Sequence, residues 1–176
     1  MLKQIDKLFD KVKSLGQTSV AITDHGVMYG DMELYTTARE MGVKPILGCE
    51  FYVHTGDIHE KDPNNNPRYH LVLLAKNLQG YKNLIKLVSA SWIDGFYVKP
   101  RIDRELLAEY HEGLIALSGC LFGEVAQKIL ARDTEAALET AKWYDETFGH
   151  GNYFLEIQNP DMTEEQEVID GVIDIS

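Results

Sequence analysis

Hydrophobic residues at the start of the chain recur at helical spacing. Leu2, Ile5, Leu8, Phe9, Val12 and Leu15 share one face, Lys and Asp fill the other, and Gly16 stands where a helix end accepts a left-handed residue. The period then changes. "SVAIT" (Ser19–Thr23) is a short continuous apolar run, which predicts a buried strand, and it stops at Asp24, His25 and Gly26, expected in the loop beyond it. "DMELYTTAREMG" from Asp31 predicts a second helix closed by Gly42, and "PILGCEFYV" (Pro45–Val53) a second strand.

The run from His54 to Arg68 is dense in Asn, Pro, Asp and Gly and reads as a surface loop, with His54 and His59 exposed on it. "YHLVLLA" is the next strand, followed by a helix from about Asn77 to Ala90. Asp103 is placed as the N-cap of "RELLAEY", and "GLIALSGC" is a strand running into a small-residue turn. Helices over Gly123–Ala131 and Thr134–Phe148 precede a fifth strand, "YFLEI". Thr163 and Gln166 have capping-box spacing at the start of a last helix.

Strands alternating with helices predict an α/β fold with a largely parallel sheet, open or closed into a barrel. A complete (β/α)8 barrel takes about 250 residues, and this chain starts and stops on helices, so both ends are expected to be cut. One connection breaks the parallel rule. Parallel strands need a crossover, usually a helix, and the loop from His54 to Arg68 reads as none. An antiparallel hairpin follows, with His70 near Tyr52; period-two alternation then puts Glu50 and Tyr52 on one side, so that Glu50 and His70 converge.

Composition narrows the function. The 176 residues are 44% hydrophobic, enough for one core and one domain, and the formal net charge is -11. That charge argues against a broad phosphate-gripping surface, because nucleic-acid affinity depends on Lys and Arg neutralising phosphates. Contact with DNA is expected only through a small site, a metal or neighbouring domains. Two cysteines, Cys49 and Cys120, form no CxxC pair and imply a reducing, cytoplasmic setting. No apolar run suits a membrane span, and the N-terminus is no signal peptide.

In α/β folds ligands gather at the carboxyl ends of strands. Asp24, His25, Glu50, His70 and Cys120 are candidates there, and imidazole, carboxylate and thiolate together suit zinc, manganese or iron. Spacing alone equally allows Asp24 to cap a turn, Glu50 to pair with a basic residue, His70 to be a core histidine and Cys120 to pack as a small hydrophobe. His54, His59, His111 and His150 are read as surface histidines, and Trp92 and Trp143 as core. Phe96 and Tyr97 with Lys99 and Arg101 suggest either a nucleic-acid patch or a packing surface.

Five stretches in order, "AITDHGVMYG", "GVKPILGCEFYV", "YHLVLLAKNLQGYKNLIKLVS", "GFYVKPRID" and "EGLIALSGCLFGEV", resemble the PHP (polymerase and histidinol phosphatase) domain family, in the branch of the bacterial replicative DNA polymerase III alpha subunits. The resemblance covers nearly the whole chain. It implies a distorted (βα)7, TIM-barrel-like PHP barrel with a metal cluster at one end, here a single partial domain over 1–176 lacking the first strand and the last strands. It places His25, Glu50, His70 and Cys120 on metal-ligand positions, with Asp24 beside them as an orienting acid or general base. The metal implied is zinc or manganese, with magnesium in the parent polymerase. The activity implied is 3′–5′ exonuclease proofreading or pyrophosphate hydrolysis in a DNA-directed DNA polymerase, this chain alone being inactive. A purely structural support of the polymerase, or a free-standing phosphoesterase of the histidinol-phosphatase type, are the competing readings. The partners implied are DNA, reached through the polymerase, and the remainder of the alpha subunit and its holoenzyme. Open barrel edges predict self-association of the isolated chain.

Overall fold

A computed structural model describes residues 5–158 and 163–176. Its elements follow the predicted alternation closely: α1 (Ile5–Ser14), β1 (Ser19–His25), α2 (Asp31–Met41), β2 (Lys44–Val53), β3 (Tyr69–Ala75), α3 (Leu78–Ile93), β4 (Arg101–Ile102), α4 (Arg104–Tyr110), β5 (Leu114–Leu117), α5 (Glu124–Leu130), α6 (Thr134–Phe148), β6 (Tyr153–Phe154) and α7 (Thr163–Ile175). The α/β class holds, but the sheet is mixed rather than largely parallel. Its path is β1-β2-β3-β5-β6, with β1/β2 and β5/β6 parallel and β2/β3 and β3/β5 antiparallel. β1 and β6 are the two ends of that path, so the ladder is open among the described residues.

Helix ends obey local chemistry. Gly42 closes α2 at φ 69°, while Asn77 and Asp103 cap α3 and α4 by accepting from the backbone N–H of Gly80 and Leu106. The capping box expected at α7 falls partly on the Thr163 side chain, outside the described residues; Gln166 instead donates forward to Asp170 Oδ1 at 2.8 Å. Leu2, expected on the apolar face of α1, also lies outside them.

β2 organises the sheet. Its first seven residues pair with β1, and its last two, Tyr52 and Val53, pair with β4 along the same edge. The two-residue β4 was not visible as a strand in the sequence. On one face of the sheet Cys49, Phe51, Val53, Leu71, Leu73, Leu114 and Ala116 are buried with side chains of α3 to α7 in the main core. Ile5, Phe9 and Val12 of α1 join Leu34 and Ala38 of α2 in a second core under β1. The opposite face carries Glu50, Tyr52 and His70.

Three expectations are corrected. Asp24 and His25 are not loop residues: β1 continues through them, paired in register with Cys49 and Glu50. His54 is not exposed but fully buried, because its N–H donates to Ile102 O at 2.8 Å and its ring packs under the returning loop, with Nδ1 3.3 Å from Pro67 O. Trp92 is not core: it is 44% exposed, its indole N–H spent on Gly26 O at 2.8 Å.

Candidate metal centre

The hairpin register is the one the sequence suggested. Tyr52 pairs with His70 and Glu50 with Val72, while the parallel ladder to β1 sets His25 directly against Glu50. Two strands thus deliver one histidine each to a single carboxylate on the central strand. Glu50 Oε1 lies 2.7 Å from His70 Nδ1, and Glu50 Oε2 lies 3.3 Å from His25 Nε2. One donor atom from each of the three residues falls within 4.8 Å of the others. Among the described residues the ion-pair partners of Glu50 are these two imidazoles, and no Lys or Arg joins them. A largely buried carboxylate between two imidazoles, without a cationic side chain to neutralise it, is a donor set that suits a divalent metal ion.

Aromatic rings wall the group. The Tyr52 ring meets His70 edge-on at 5.3 Å between centroids and lies 6.3 Å from His25, and the Phe122 ring lies 5.4 Å from His70. Phe122 is 63% exposed, and its carbonyl accepts the His70 backbone N–H at 2.9 Å. Phe122 was not singled out in the sequence; no spacing rule marks an aromatic that enters a site through its main chain.

Cys120 sits at the edge, its Sγ 3.5 Å from His70 Nδ1, and burial pushes its thiol pKa up. Asp24 is turned elsewhere. Its Oδ2 accepts from Gly30 N at 3.1 Å and its carbonyl from the Cys49 thiol at 3.4 Å, so the structure ties it to the turn after β1 and not to the three donors. Asp31, unmarked by the sequence, is buried behind Asp24 with Oδ2 unpartnered. Burial first, and the Asp24 charge second, push its carboxyl up to about 7.

The turn that follows His25 is held from three sides. Gly26 N donates to Glu50 O at 2.8 Å, Gly26 O accepts from Trp92, and Pro100 packs so close that a Cβ at Gly26 would lie 2.7 Å from its Cγ. At φ 69° and with no room for a side chain, only glycine suits this position. Arg101 anchors the neighbouring loop. Fully buried, it donates to Gly95 O, Asn66 Oδ1, Ile58 O and Glu60 O at 2.6–3.0 Å. It therefore serves the loop of 54–68 and is unavailable as a surface cation. Lys99, by contrast, lies over Tyr52, its Nζ 5.4 Å from the ring centroid.

Comparison with known proteins identifies the family. The PHP domain family model matches residues 2–160. The chain is 41% identical over 174 residues to the DNA polymerase III subunit alpha of Treponema pallidum, covering 98% of this chain and 15% of that protein. It is 42% identical over 172 residues to the protein of the same name from Deinococcus radiodurans, covering 94% and 13%. The chain therefore spans about one seventh of the length of these relatives. A Bifidobacterium adolescentis structure, proposed to be a metal-dependent phosphoesterase, superposes over 99% of this chain and 79% of that one at 12% identity, with a TM-score of 0.44. With its family model matched over most of its length, and relatives of one name over nearly all of it, the chain belongs to the PHP domain family.

Proposed function

We propose that this chain is the PHP portion of a bacterial replicative DNA polymerase of the polymerase III alpha type, and that it carries a divalent-metal centre directed at phosphoester or pyrophosphate bonds. The observation that carries the reading is the convergence of His25, Glu50 and His70 from three strands. Its identity to alpha subunits from several bacteria favours the polymerase setting over a free-standing phosphatase of the histidinol type. In that setting DNA and the remainder of the alpha subunit are the partners.

His25, Glu50 and His70 would hold the ion, with Cys120 within reach on the His70 side. Zinc or manganese suits two imidazoles and a carboxylate, and magnesium belongs with the polymerase carboxylates elsewhere in the parent. A bound divalent ion would supply Lewis-acid polarisation of a phosphoryl oxygen and lower the pKa of water. The chain itself does the positioning. Glu50 orients both imidazoles at once. The clamp on Gly26 fixes the strand end that bears His25, and Asp24 ties that turn to α2 through Gly30. Tyr52 and Phe122 pack against the His70 ring and help hold its orientation.

The test is hydrolysis of a small phosphodiester, bis(p-nitrophenyl) phosphate, by the intact alpha subunit carrying this domain, against a Glu50→Gln variant with polymerase activity measured in parallel. The reading expects manganese- or zinc-dependent turnover that Glu50→Gln abolishes while polymerisation continues. Equal turnover by both proteins would refute it.

A further inference from the structure

The turn between α3 and β4 holds a backbone feature that the metal reading leaves unused. Val98, at its tip, has φ 65°, and for a β-branched residue that region is a genuine outlier that costs free energy. Burial does not offset the strain, because Val98 is 62% exposed. What the turn achieves is placement. Tyr97 N donates to Lys99 O at 3.1 Å, which closes a tight reversal, and the Lys99 side chain comes back over the Tyr52 ring. Tyr52 is the register partner of His70, and its ring centroid lies 5.3 Å from that of His70 and 6.3 Å from that of His25. Lys99 therefore stands one aromatic ring away from the Glu50 group. Pro100, immediately after it, packs on Gly26 and locks the turn to the strand end that bears His25.

Charge makes that placement informative. The chain's net charge is -11, so a side-chain cation beside the centre adds to the pull of a bound ion on an anionic ester that the rest of the chain repels. Arg101 is buried in the loop of 54–68 and cannot serve. Lys99 is exposed, and its described contact is the outer face of Tyr52, a weak cation–π hold that leaves three N–H donors free to swing toward the mouth of the centre.

Resting on the metal-centre reading above, we infer that Lys99 is a substrate-positioning cation: its ammonium takes the phosphoryl oxygens that the Glu50 centre does not hold, with Tyr52 as its parking surface. The strained turn at Val98 is the device that aims it. The ligand class is a phosphate monoester or diester, or inorganic phosphate as the product.

The test uses the 176-residue chain loaded with manganese and inorganic phosphate as the probe, with metal content read first and phosphate affinity second by calorimetry. Lys99→Met is expected to keep the wild-type metal ratio while phosphate binding weakens about tenfold or more, as for loss of a charge-assisted hydrogen bond. Lys99→Arg, which keeps the charge, is expected to restore affinity to within about threefold. A purely structural lysine would move neither value, and phosphate binding to Lys99→Met within about twofold of wild type, with metal retained, overturns the inference. Wild-type protein that takes up no metal overturns the centre itself, and this inference with it, so the two failures are told apart by the first reading.

Discussion

Glu50 Oε1 lies 2.7 Å from His70 Nδ1, although a long irregular loop separates the two strands that bear them. The contact exists because β2 and β3 pair antiparallel with Tyr52 opposite His70, which sets both side chains on the same face. The parallel partner β1 adds His25 to the other oxygen. The meeting of these three donors is thus a property of strand register, and it should respond to whatever fixes that register.

Arg101 anchors the loop that joins the two antiparallel strands. Its guanidinium satisfies three carbonyl oxygens and the Asn66 amide oxygen within one buried volume. An ammonium cannot reproduce that planar fork. Arg101→Lys is expected to destabilise the fold by about 2–4 kcal/mol and to speed amide exchange in residues 56–66 ahead of the core strands. A urea midpoint unchanged from wild type would show that the loop holds itself.

Asp31 gives a pH dependence of definite sign. Its carboxyl, pushed from 3.8 up to about 7 by burial and then by Asp24, binds its proton more tightly in the folded state. Its contribution is therefore most favourable below pH 3.8, declines as pH rises toward 7, and is flat above that. Asp31→Asn removes this slope. The variant is expected to match wild type near pH 4 and to exceed it at pH 8 by on the order of 2 kcal/mol. Parallel stability curves across that range would contradict the assignment.

The two thiols should behave differently. Burial pushes the Cys49 thiol up to about 12, with Asp31 adding to the shift, whereas Cys120 is only partly buried and faces His70. Iodoacetamide at pH 8 is expected to label Cys120 and spare Cys49 in the native chain. Added zinc or manganese should slow Cys120 labelling about tenfold if the thiol joins the donors. Labelling at the same rate with and without metal would leave the thiol outside the centre.

Much of this arrangement was legible in the sequence because it follows from local rules. The helices announced themselves by period and cap, and the hairpin by a connection too irregular to be a crossover helix. Given the hairpin, alternation alone put Glu50 and His70 together. What stayed hidden depends on distant partners. β1 runs on through Asp24 and His25 because Cys49 and Glu50 pair with them, a ladder that two polar residues and a glycine concealed. His54 reads as surface in a polar loop, yet Arg101 draws that loop inward and buries it. Trp92 is amphipathic in its use: half its ring faces solvent while its N–H secures Gly26. Phe122 reaches the centre through its own carbonyl, which no side-chain pattern reveals.

The decisive measurement for the Glu50 centre is the metal-to-protein ratio of the purified chain after exhaustive dialysis, by elemental mass spectrometry, beside His70→Ala and Glu50→Gln. The account predicts zinc or manganese near stoichiometry in wild type, lost in both variants while their helical content is retained. Metal retained by both variants, or absent from wild type after reloading, would contradict a centre built on Glu50.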